Sequence, residues 1–244
     1  MGTMHYLLLC ALIFLPETPA FPVQLRQESW ISIDLEKVKR YLDTFFPILS
    51  KTQNLSIEER IKEMQKFFHL TVTGKLDKET EEIMTKPRCG MPDEGEHQTP
   101  PGTRNIYPKS PSTLKSVQER VSATNIAQHI KHIQTLTTVL SKHGDGSPFD
   151  GRGKILAHAF LPGKRHSGDA HFDDDEKWSD VNQDVNLFLV AVHEFGHSLG
   201  LTHSNDRRSM MYPYYSYQNP KTFMLLEEDK RRIQKLYGKK PSNS

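Results

Sequence analysis

Residues 193–203 have the sequence HEFGHSLGLTH and follow the apolar run 187–192. The apolar run predicts a buried helix, on which the first two histidines of the motif lie one turn apart and share a face. Gly200 tolerates the left-handed conformation that ends a helix, so the chain can turn and bring the third histidine back. Three neutral imidazoles can hold a zinc ion and leave its fourth tetrahedral position open, as catalytic sites do. The candidate ligands are His193, His197 and His203.

Glu194 directly follows the first candidate ligand. Its carboxylate could accept a proton from water that the cation has acidified and pass that proton to a leaving amine. The alternative is that these histidines are core or surface residues at a coincidental spacing. The glycine and the third histidine make such a coincidence far rarer than a bare HExxH pattern would be.

Met211 lies eight residues after His203, within the sequence SMMYP at 209–213. A motif HExxHxxGxxH followed by a methionine resembles the metzincin zinc endopeptidases. The resemblance implies that Met211 forms a turn beneath the zinc ion, although a methionine before Tyr-Pro could also be simple hydrophobic filling.

The start of the chain predicts export. Residues 1–20 contain the apolar stretch 7–15, followed by a proline and small residues, which indicates a secretory signal cut near Phe21. A membrane anchor is the alternative, but nine apolar residues are too few to span a bilayer as a helix. We therefore expect a secreted, extracellular protein without a transmembrane anchor. Removal of the signal leaves Cys89 as the single cysteine, so no internal disulfide can form.

The 244 residues suit one or two modest domains, and a net charge of +2 from mixed signs indicates no nucleic acid or other polyanionic partner. Three helices are expected between residues 32 and 86. Apolar spacing predicts one at 33–49 and a second that opens with a capping box at Ser56 and runs to Phe68. Asp77 caps the third, which ends before Pro87. The three can share one small core, and Asn54 begins a glycosylation sequon.

Residues 87–93 have the sequence PRCGMPD. The prolines favour an extended segment, and Gly90 permits a close approach of the backbone to another surface. The Cys89 thiolate could occupy the fourth zinc position, exclude water and block hydrolysis. Together with MQKFF at 64–68 and TGKLD at 73–77, this segment closely resembles the cysteine switch of the matrix metalloproteinases. A buried structural cysteine is the alternative.

Residues 94–112 are rich in proline, glycine and threonine, which predicts an exposed linker where cleavage would release the first domain. Within residues 107–140, apolar residues from Leu114 to Ile130 follow helical spacing, and those from Ile133 to Leu140 could continue into a strand. The family has two strands around this helix, together with a tryptophan and a calcium-binding aspartate. We do not find both strands, the tryptophan or the aspartate in this sequence, so the N-terminal part of the sheet is predicted to be shortened. A depleted sheet raises an alternative function: a pseudoprotease that binds zinc and partners without turnover because segment 94–142 is shortened.

The resemblance supplies further metal ligands. The family's structural zinc corresponds to His143, Asp145, His158 and His171. Its calcium loop corresponds to Asp150, Gly151, Gly153 and Ile155, with Asp173 and Glu176 from a later acidic stretch. Solvated acidic turns with scattered histidines are the alternative, and Arg152 and Lys154 add positive charge that would weaken the calcium site. In a second calcium loop, 163–169, Asp169 is the one obvious ligand.

The stretch 156–161 is predicted to be a strand and resembles the family's edge strand, against which an extended substrate pairs main chain to main chain. The resemblance places Leu189 in the main specificity pocket with Pro213 and Tyr215 as walls, which suggests a preference for leucine-like residues; Leu189 is also ordinary helix core. A last helix is expected at 226–236, where Asp229 is placed to brace the methionine turn.

These observations predict an α+β protein made of a three-helix prodomain and a metzincin catalytic domain, with a twisted mixed sheet and long helices. The expected divisions are a signal peptide at 1–20, the prodomain at 21–93, a linker at 94–112, the catalytic domain at 113–238 and a tail at 239–244. The resemblance to small, matrilysin-type matrix metalloproteinases implies a zinc- and calcium-dependent endopeptidase without the family's propeller (hemopexin-like) domain. We expect a monomer whose partners are extracellular protein substrates, activating proteases and proteinaceous inhibitors.

Overall fold

The structure is a computed structural model that describes residues 35–48, 55–93, 138–139, 143–163, 166 and 168–238. From Lys39 onward the described chain forms one compact unit, and of the other unit, which ends at Val38, only the first residues of a helix are described. Several predictions lie outside the described residues: the signal segment 1–20, the sequon at Asn54, the linker 94–112, the helix expected before residue 138, and the tail 239–244.

Three helices begin the described chain, as the sequence predicts: α1 at 35–45, α2 at Ile57–Phe67 and α3 at Lys78–Met84. The predicted capping box at α2 is confirmed, because Ser56 Oγ accepts the Glu59 amide and the Glu59 carboxylate accepts the Ser56 amide at 2.7 Å. Asp77 caps α3 by accepting the Thr80 amide at 3.0 Å. Local hydrogen bonding therefore sets where these short helices begin.

One buried polar side chain ties the three-helix region together. Gln65 is fully buried on α2, as are the apolar side chains of Leu42, Met64 and Phe68 in the same region. Its amide donates three hydrogen bonds and accepts two. The partners lie in the turn after α2 and on α3, at Thr73, Gly74, Lys75 and Thr80. A buried amide with every group satisfied fixes the packing of α3 on α2.

The sheet is mixed, which confirms the predicted sheet type. Its strands are β1 (Arg88–Cys89), β2 (Thr138–Val139), β3 (Ile155–Ala159) and β4 (Ala170–Asp173), in the order β1-β3-β4-β2. β1 runs parallel to β3, β3 is antiparallel to β4, and β2 is parallel to β4. Two further strands, β5 (Trp178–Ser179) and β6 (Val185–Asn186), pair with each other. The cysteine segment thus forms the edge strand of the sheet within the described residues.

Helix α4 (Leu187–Ser198) lies against β3 and β4, and α5 (Glu227–Tyr237) closes the described chain. The shared core of sheet and helix consists of Leu156, Ala157, Ala159, Ala170, Phe172, Leu187, Val190 and Ala191. Because α4 is apolar on most sides, it is buried and carries the histidine motif directly beside the sheet edge. Among the described residues, none of the helices is both long enough and apolar enough to cross a bilayer.

Candidate active site

The predicted turn after the histidine helix is confirmed. α4 ends at Ser198, and Gly200 follows with φ +98°, a conformation that side-chain-bearing residues avoid. The chain then reverses and carries His203 back toward His193 and His197, whose rings lie 5.3 and 4.7 Å from the His203 ring. The turn therefore brings all three imidazoles together.

Four potential metal ligands converge at this point. The donor atoms of Cys89, His193, His197 and His203 all lie within 4.8 Å of one another, and the four residues are buried. The Nε2 atoms of His193 and His203 are 3.3 Å apart, and Cys89 Sγ is 3.5 Å from His197 Nε2. A tetrahedral zinc site with bonds of about 2.05 Å to nitrogen and about 2.3 Å to sulfur separates its ligands by about 3.3 Å (N–N) and about 3.6 Å (N–S). These residues fit zinc in both chemistry and spacing.

The opposite ring nitrogens of His193 and His197 have partners of their own. His193 Nδ1 lies 2.7 Å from the carbonyl of Met210, and His197 Nδ1 lies 2.7 Å from the carbonyl of Leu201. An Nδ1–H that donates to a carbonyl leaves the Nε2 lone pair free for a metal. Burial lowers the pKa of all three histidines, that of His193 to about 4, so the metal-free rings are neutral at physiological pH. The ligands therefore need no deprotonation to bind a cation.

The cysteine segment fills the cleft beside these histidines. On one side, the amides of Arg88 and Gly90 donate to the carbonyls of Lys154 and Ala157, each at 2.8 Å. On the other side, the Cys89 amide donates to the Pro213 carbonyl at 2.9 Å, and the Tyr215 amide donates to the Pro87 carbonyl at 2.9 Å. Added at Gly90, a Cβ atom would lie 2.9 Å from Ile155 Cγ2, so the predicted close approach is confirmed. The segment is therefore hydrogen-bonded as an extended strand between residues 154–157 on one side and residues 213–215 on the other.

Sequence reasoning missed the buried charges that flank Cys89. Arg88 is 2% exposed; it donates to Asp93 Oδ1 at 2.7 Å and to the Tyr41 hydroxyl at 2.7 Å, and its guanidinium carbon lies 3.5 Å from the Phe45 ring centre. Desolvation of Asp93 raises its pKa to about 6, and Arg88 opposes that rise. The sequence did contain a signal for this ion pair: Arg88 and Asp93 carry opposite charges and lie on either side of Cys89. The pair fixes the segment to α1 and to Tyr214, which hydrogen-bonds to Tyr41.

Glu194 lines the same cavity as Cys89 and His193. It is fully buried, and the Cys89 thiol interacts with its carboxyl group. Desolvation raises its pKa to about 8, so in the metal-free protein the group holds a proton near neutral pH. A buried carboxyl with such a pKa can both accept and release a proton during a reaction.

The methionine turn packs under the motif through a glycine that sequence reasoning left unused. Met211 is fully buried, and a Cβ at Gly196 would overlap its sulfur. The prediction that Asp229 braces this turn is confirmed, since its carboxylate accepts Ser209 Oγ at 2.6 Å and the Met210 amide at 3.0 Å. The sequence signal for this packing was Gly196 itself, a glycine inside a helix between His193 and His197.

A second group of ligands comes from β3, from β4 and from the loop that precedes β3. The donor atoms of His143, Asp145, His158 and His171 lie within 4.8 Å of one another. Asp145 Oδ2 is 2.6–2.9 Å from a nitrogen of each histidine. Desolvation acts to raise the pKa of Asp145, but hydrogen bonds from the Ser147 amide and from the histidines lower it well below its usual value. Three imidazoles around one ionised carboxylate fit a closed tetrahedral zinc site.

The predicted calcium residues lie in neighbouring loops. Asp150 accepts the amide of Ile155 at 3.0 Å and Glu176 accepts the amide of Gly153, while Asp173 Oδ2 is buried without a hydrogen-bond partner among the described residues. Burial raises the pKa of both Asp173 and Glu176, and nearby carboxylates raise it further. Crowded, desolvated carboxylates fit a hard divalent cation.

The structure bears less directly on the remaining calcium predictions. Gly151 lies in the same loop. Arg152 was expected to weaken calcium binding, and its Nη2 atom lies 3.4 Å from Asp184 Oδ1. In the second calcium loop, Asp169 Oδ2 lies 3.7 Å from His166 Nδ1. The rest of that loop, at 164–165 and 167, lies outside the described residues.

The three predicted specificity residues surround one cavity. Leu189, Pro213 and Tyr215 line it together with His193 and Glu194. The Tyr215 hydroxyl accepts the amide of Asn186 at 3.0 Å, which fixes this ring at the start of α4. The cavity therefore joins an apolar wall to the candidate catalytic groups.

Comparisons with known proteins agree with this geometry. Residues 115–238 match the family model described as Matrixin, and residues 34–84 match one described as "Putative peptidoglycan binding domain". The chain is 39% identical to matrilysin of Homo sapiens over 99% of each chain. It is 40% identical to matrix metalloproteinase-18 of Xenopus laevis over 97% of this chain, and 40% identical to neutrophil collagenase of Homo sapiens over 90% of it.

The chain covers 56% and 52% of the latter two relatives, so it spans about half of their length. The first matched region, 34–84, contains α1 to α3, and the second, 115–238, contains β2 to β6, α4 and α5. The matches confirm the resemblance that the zinc motif and the cysteine segment indicate. They do not favour the inactive binding protein that the short segment 94–142 suggests as an alternative.

Replacing Gly196 by alanine tests the packing of the methionine turn. Alanine normally stabilises a helix interior over glycine by about 0.5–1 kcal/mol. Here we expect Gly196→Ala to lower the free energy of unfolding by about 1–3 kcal/mol, because the added methyl group overlaps Met211. In a Met211→Ala background the same change should become neutral or stabilising, since the space is vacated. Urea unfolding of the full-length protein measures both values, and stabilisation by Gly196→Ala in the unchanged background would contradict this packing.

Replacing Asp145 by asparagine tests the second metal group. We expect zinc content to fall from about two ions per protein to about one, because the anionic ligand shared by three histidines is lost. Mass spectrometry of metal content after dialysis measures the ratio. The control is Asp174→Asn, which removes an exposed carboxylate nearby and should leave the ratio unchanged. Retention of both ions by Asp145→Asn would show that this carboxylate holds no metal.

Proposed function

The chain belongs to the matrixin family, a family of zinc- and calcium-dependent metalloendopeptidases made with a prodomain, and from this premise we propose that it is a secreted, latent endopeptidase. Its proposed substrates are extracellular matrix or pericellular proteins, cut at internal bonds that precede an apolar residue. The observation that carries the proposal is the convergence of Cys89, His193, His197 and His203 beside the buried carboxyl of Glu194. Secretion is supported by the apolar stretch within residues 1–20.

In this proposal His193, His197 and His203 hold the catalytic zinc. The ion supplies a Lewis acid that polarises the scissile carbonyl and lowers the pKa of water. Glu194 accepts a proton from the attacking water and donates it to the departing amine, so that the carboxylate is regenerated. Its buried position beside His193 suits this role, because a desolvated carboxyl binds and releases protons near neutral pH.

The walls that hold residues 87–90 suggest how a peptide would bind. Backbone groups of Lys154 and Ala157 on one side, and of Pro213 and Tyr215 on the other, already hydrogen-bond to an extended main chain. Once that segment leaves, the same groups can pair with a substrate backbone. Leu189 and the Tyr215 ring then offer an apolar pocket next to Glu194, which suits a leucine-like side chain after the scissile bond.

Latency follows from the place of Cys89 in this arrangement. The thiolate would take the fourth zinc position, and residues 87–90 would occupy the cleft, so that neither water nor substrate could enter. Activation is then the removal of residues 21–93 after cleavage within 94–112. The proposed partners are activating proteases and proteinaceous inhibitors that enter the same cleft, and the protein is proposed to act as a monomer.

The remaining metal sites are proposed to be structural. His143, Asp145, His158 and His171 would hold the second zinc, and Asp150, Asp173 and Glu176 would bind calcium with carbonyls of the adjoining loop. Both groups lie beside β3, the strand that pairs with the cysteine segment. Their ions would stiffen that wall of the cleft.

Hydrolysis of a quenched fluorescent peptide tests the proposal. We expect the zinc-loaded, full-length protein to be silent on a peptide with leucine after the scissile bond until a mercurial displaces the thiol. Cys89→Ala should be active without the mercurial, because the fourth zinc position is then open. A matched peptide with lysine after the scissile bond should be cut more slowly, since it would bury a charge in an apolar pocket.

The control is Glu194→Gln, which keeps the size of the side chain. It should retain its zinc and lose activity by about 10²- to 10⁴-fold, as expected for loss of a general base. Activity of Glu194→Gln equal to that of the unchanged protein would reveal a contaminating protease. Zinc-loaded Cys89→Ala that cuts neither peptide would overturn the proposed function.

A further inference from the structure

The three zinc-ligand histidines differ in what faces their outer nitrogen. For His193 and His197 the Nδ1 atom faces a backbone carbonyl of the same domain, at Met210 and Leu201. For His203 the Nδ1 atom lies 2.8 Å from Asp93 Oδ1, a close polar contact that does not meet hydrogen-bond geometry, and the backbone of Pro92 acts on the same ring. Asp93 and Pro92 both belong to the segment that carries the cysteine. The side chains of His203 and Asp93 are both completely buried. The outer nitrogen of the third histidine thus faces the prosegment, where the Asp93 carboxylate lies against it.

Asp93 is held where it is by other contacts. Its Oδ1 atom is 2.7 Å from Arg88 Nη2, and its amide donates to the Phe45 carbonyl at 2.6 Å. Arg88 is fixed in turn by the Tyr41 hydroxyl and by its stacking over the Phe45 ring. A carboxylate anchored at both backbone and side chain cannot swing away from His203. It therefore restricts the rotation of that imidazole.

We propose that Asp93 is a positioning residue for the catalytic zinc of the latent protein: it orients His203 and thereby tightens zinc binding independently of the Cys89 thiol. The inference rests on the proposed function, which puts zinc at these histidines. A group that fixes the outer nitrogen of a metal-bound histidine commonly changes metal affinity by about 10- to 100-fold. The prosegment would then make two separate contributions to the metal site, a ligand and a support for a ligand. Removing it would weaken zinc binding by more than the loss of sulfur alone.

The test measures how fast zinc leaves the latent protein. The full-length chain carries Glu194→Ala, so that it cannot process itself, and zinc is captured by a chromogenic chelator at neutral pH. Into this background we would place Asp93→Asn, Cys89→Ala and both together. A further variant with His197→Ala identifies which phase of zinc release belongs to this site.

We expect Asp93→Asn to speed zinc release by about tenfold, the lower end of the range because the amide keeps the size of the side chain and removes only its negative charge. The decisive comparison is within Cys89→Ala, where the thiol plays no part. A similar acceleration there supports the proposal. If Asp93→Asn has no effect once Cys89 is gone, Asp93 acts only by holding the cysteine segment, and the inference is overturned.

A spectroscopic measurement guards against a general loosening of the fold. The Nδ1–H proton resonances of the histidines report the outer contact of each ring. In Asp93→Asn the His203 resonance should shift, while those of His193 and His197 keep their positions because their carbonyl partners are unchanged. Equal shifts of all three would contradict a specific role. If Asp93→Asn binds zinc and releases it at an unchanged rate, this inference alone is contradicted. If the protein binds no zinc at these histidines, the proposed function is contradicted as well.

Discussion

The structure depends on bringing four metal-binding side chains into one buried volume from two distant parts of the chain. Three imidazoles and a thiol without water around them are costly to desolvate unless a cation compensates them. The lowered pKa values of the histidines and the raised pKa of Cys89, each caused first by burial, are the electrostatic signature of that strain in the metal-free protein. A zinc ion relieves it by binding neutral nitrogens and favouring the thiolate.

The same constraint explains why the cysteine segment needs such strong anchoring. A thiolate ligand can be displaced by water unless its backbone is held in place, and here the backbone is held on both sides by β3 and by residues 213–215. The buried pair of Arg88 and Asp93 adds a second anchor toward α1. Removing either partner of a buried ion pair leaves an uncompensated charge, so this anchor acts as a unit and is either intact or lost. The cysteine segment is therefore held by contacts on three sides and not by its thiol alone.

Local patterns predicted much of this arrangement. The apolar run before His193, the capping box at Ser56 and the turn at Gly200 each depend on neighbouring residues, and all three agree with the structure. The family resemblance supplied the second ligand group and supported Cys89 as the fourth ligand of the first, because spacing alone cannot join residues that lie far apart in the chain. What sequence reasoning missed depends on tertiary contact. Asp93 lies against His203 only after the prosegment packs into the cleft, and Gly196 accommodates Met211 only after the methionine turn packs under α4. Gln65 likewise looks like an ordinary polar helix residue until its five hydrogen bonds are visible.

Zinc K-edge X-ray absorption of the latent, full-length protein tests the central claim most directly. If one zinc ion is shared by the thiol and three imidazoles and a second lies at the other histidine cluster, the spectrum should contain a sulfur shell at about 2.3 Å that averages about one sulfur per two zinc ions. The shell should disappear after the prosegment is removed, leaving only nitrogen and oxygen neighbours. A latent protein whose spectrum shows no sulfur around zinc would contradict the account.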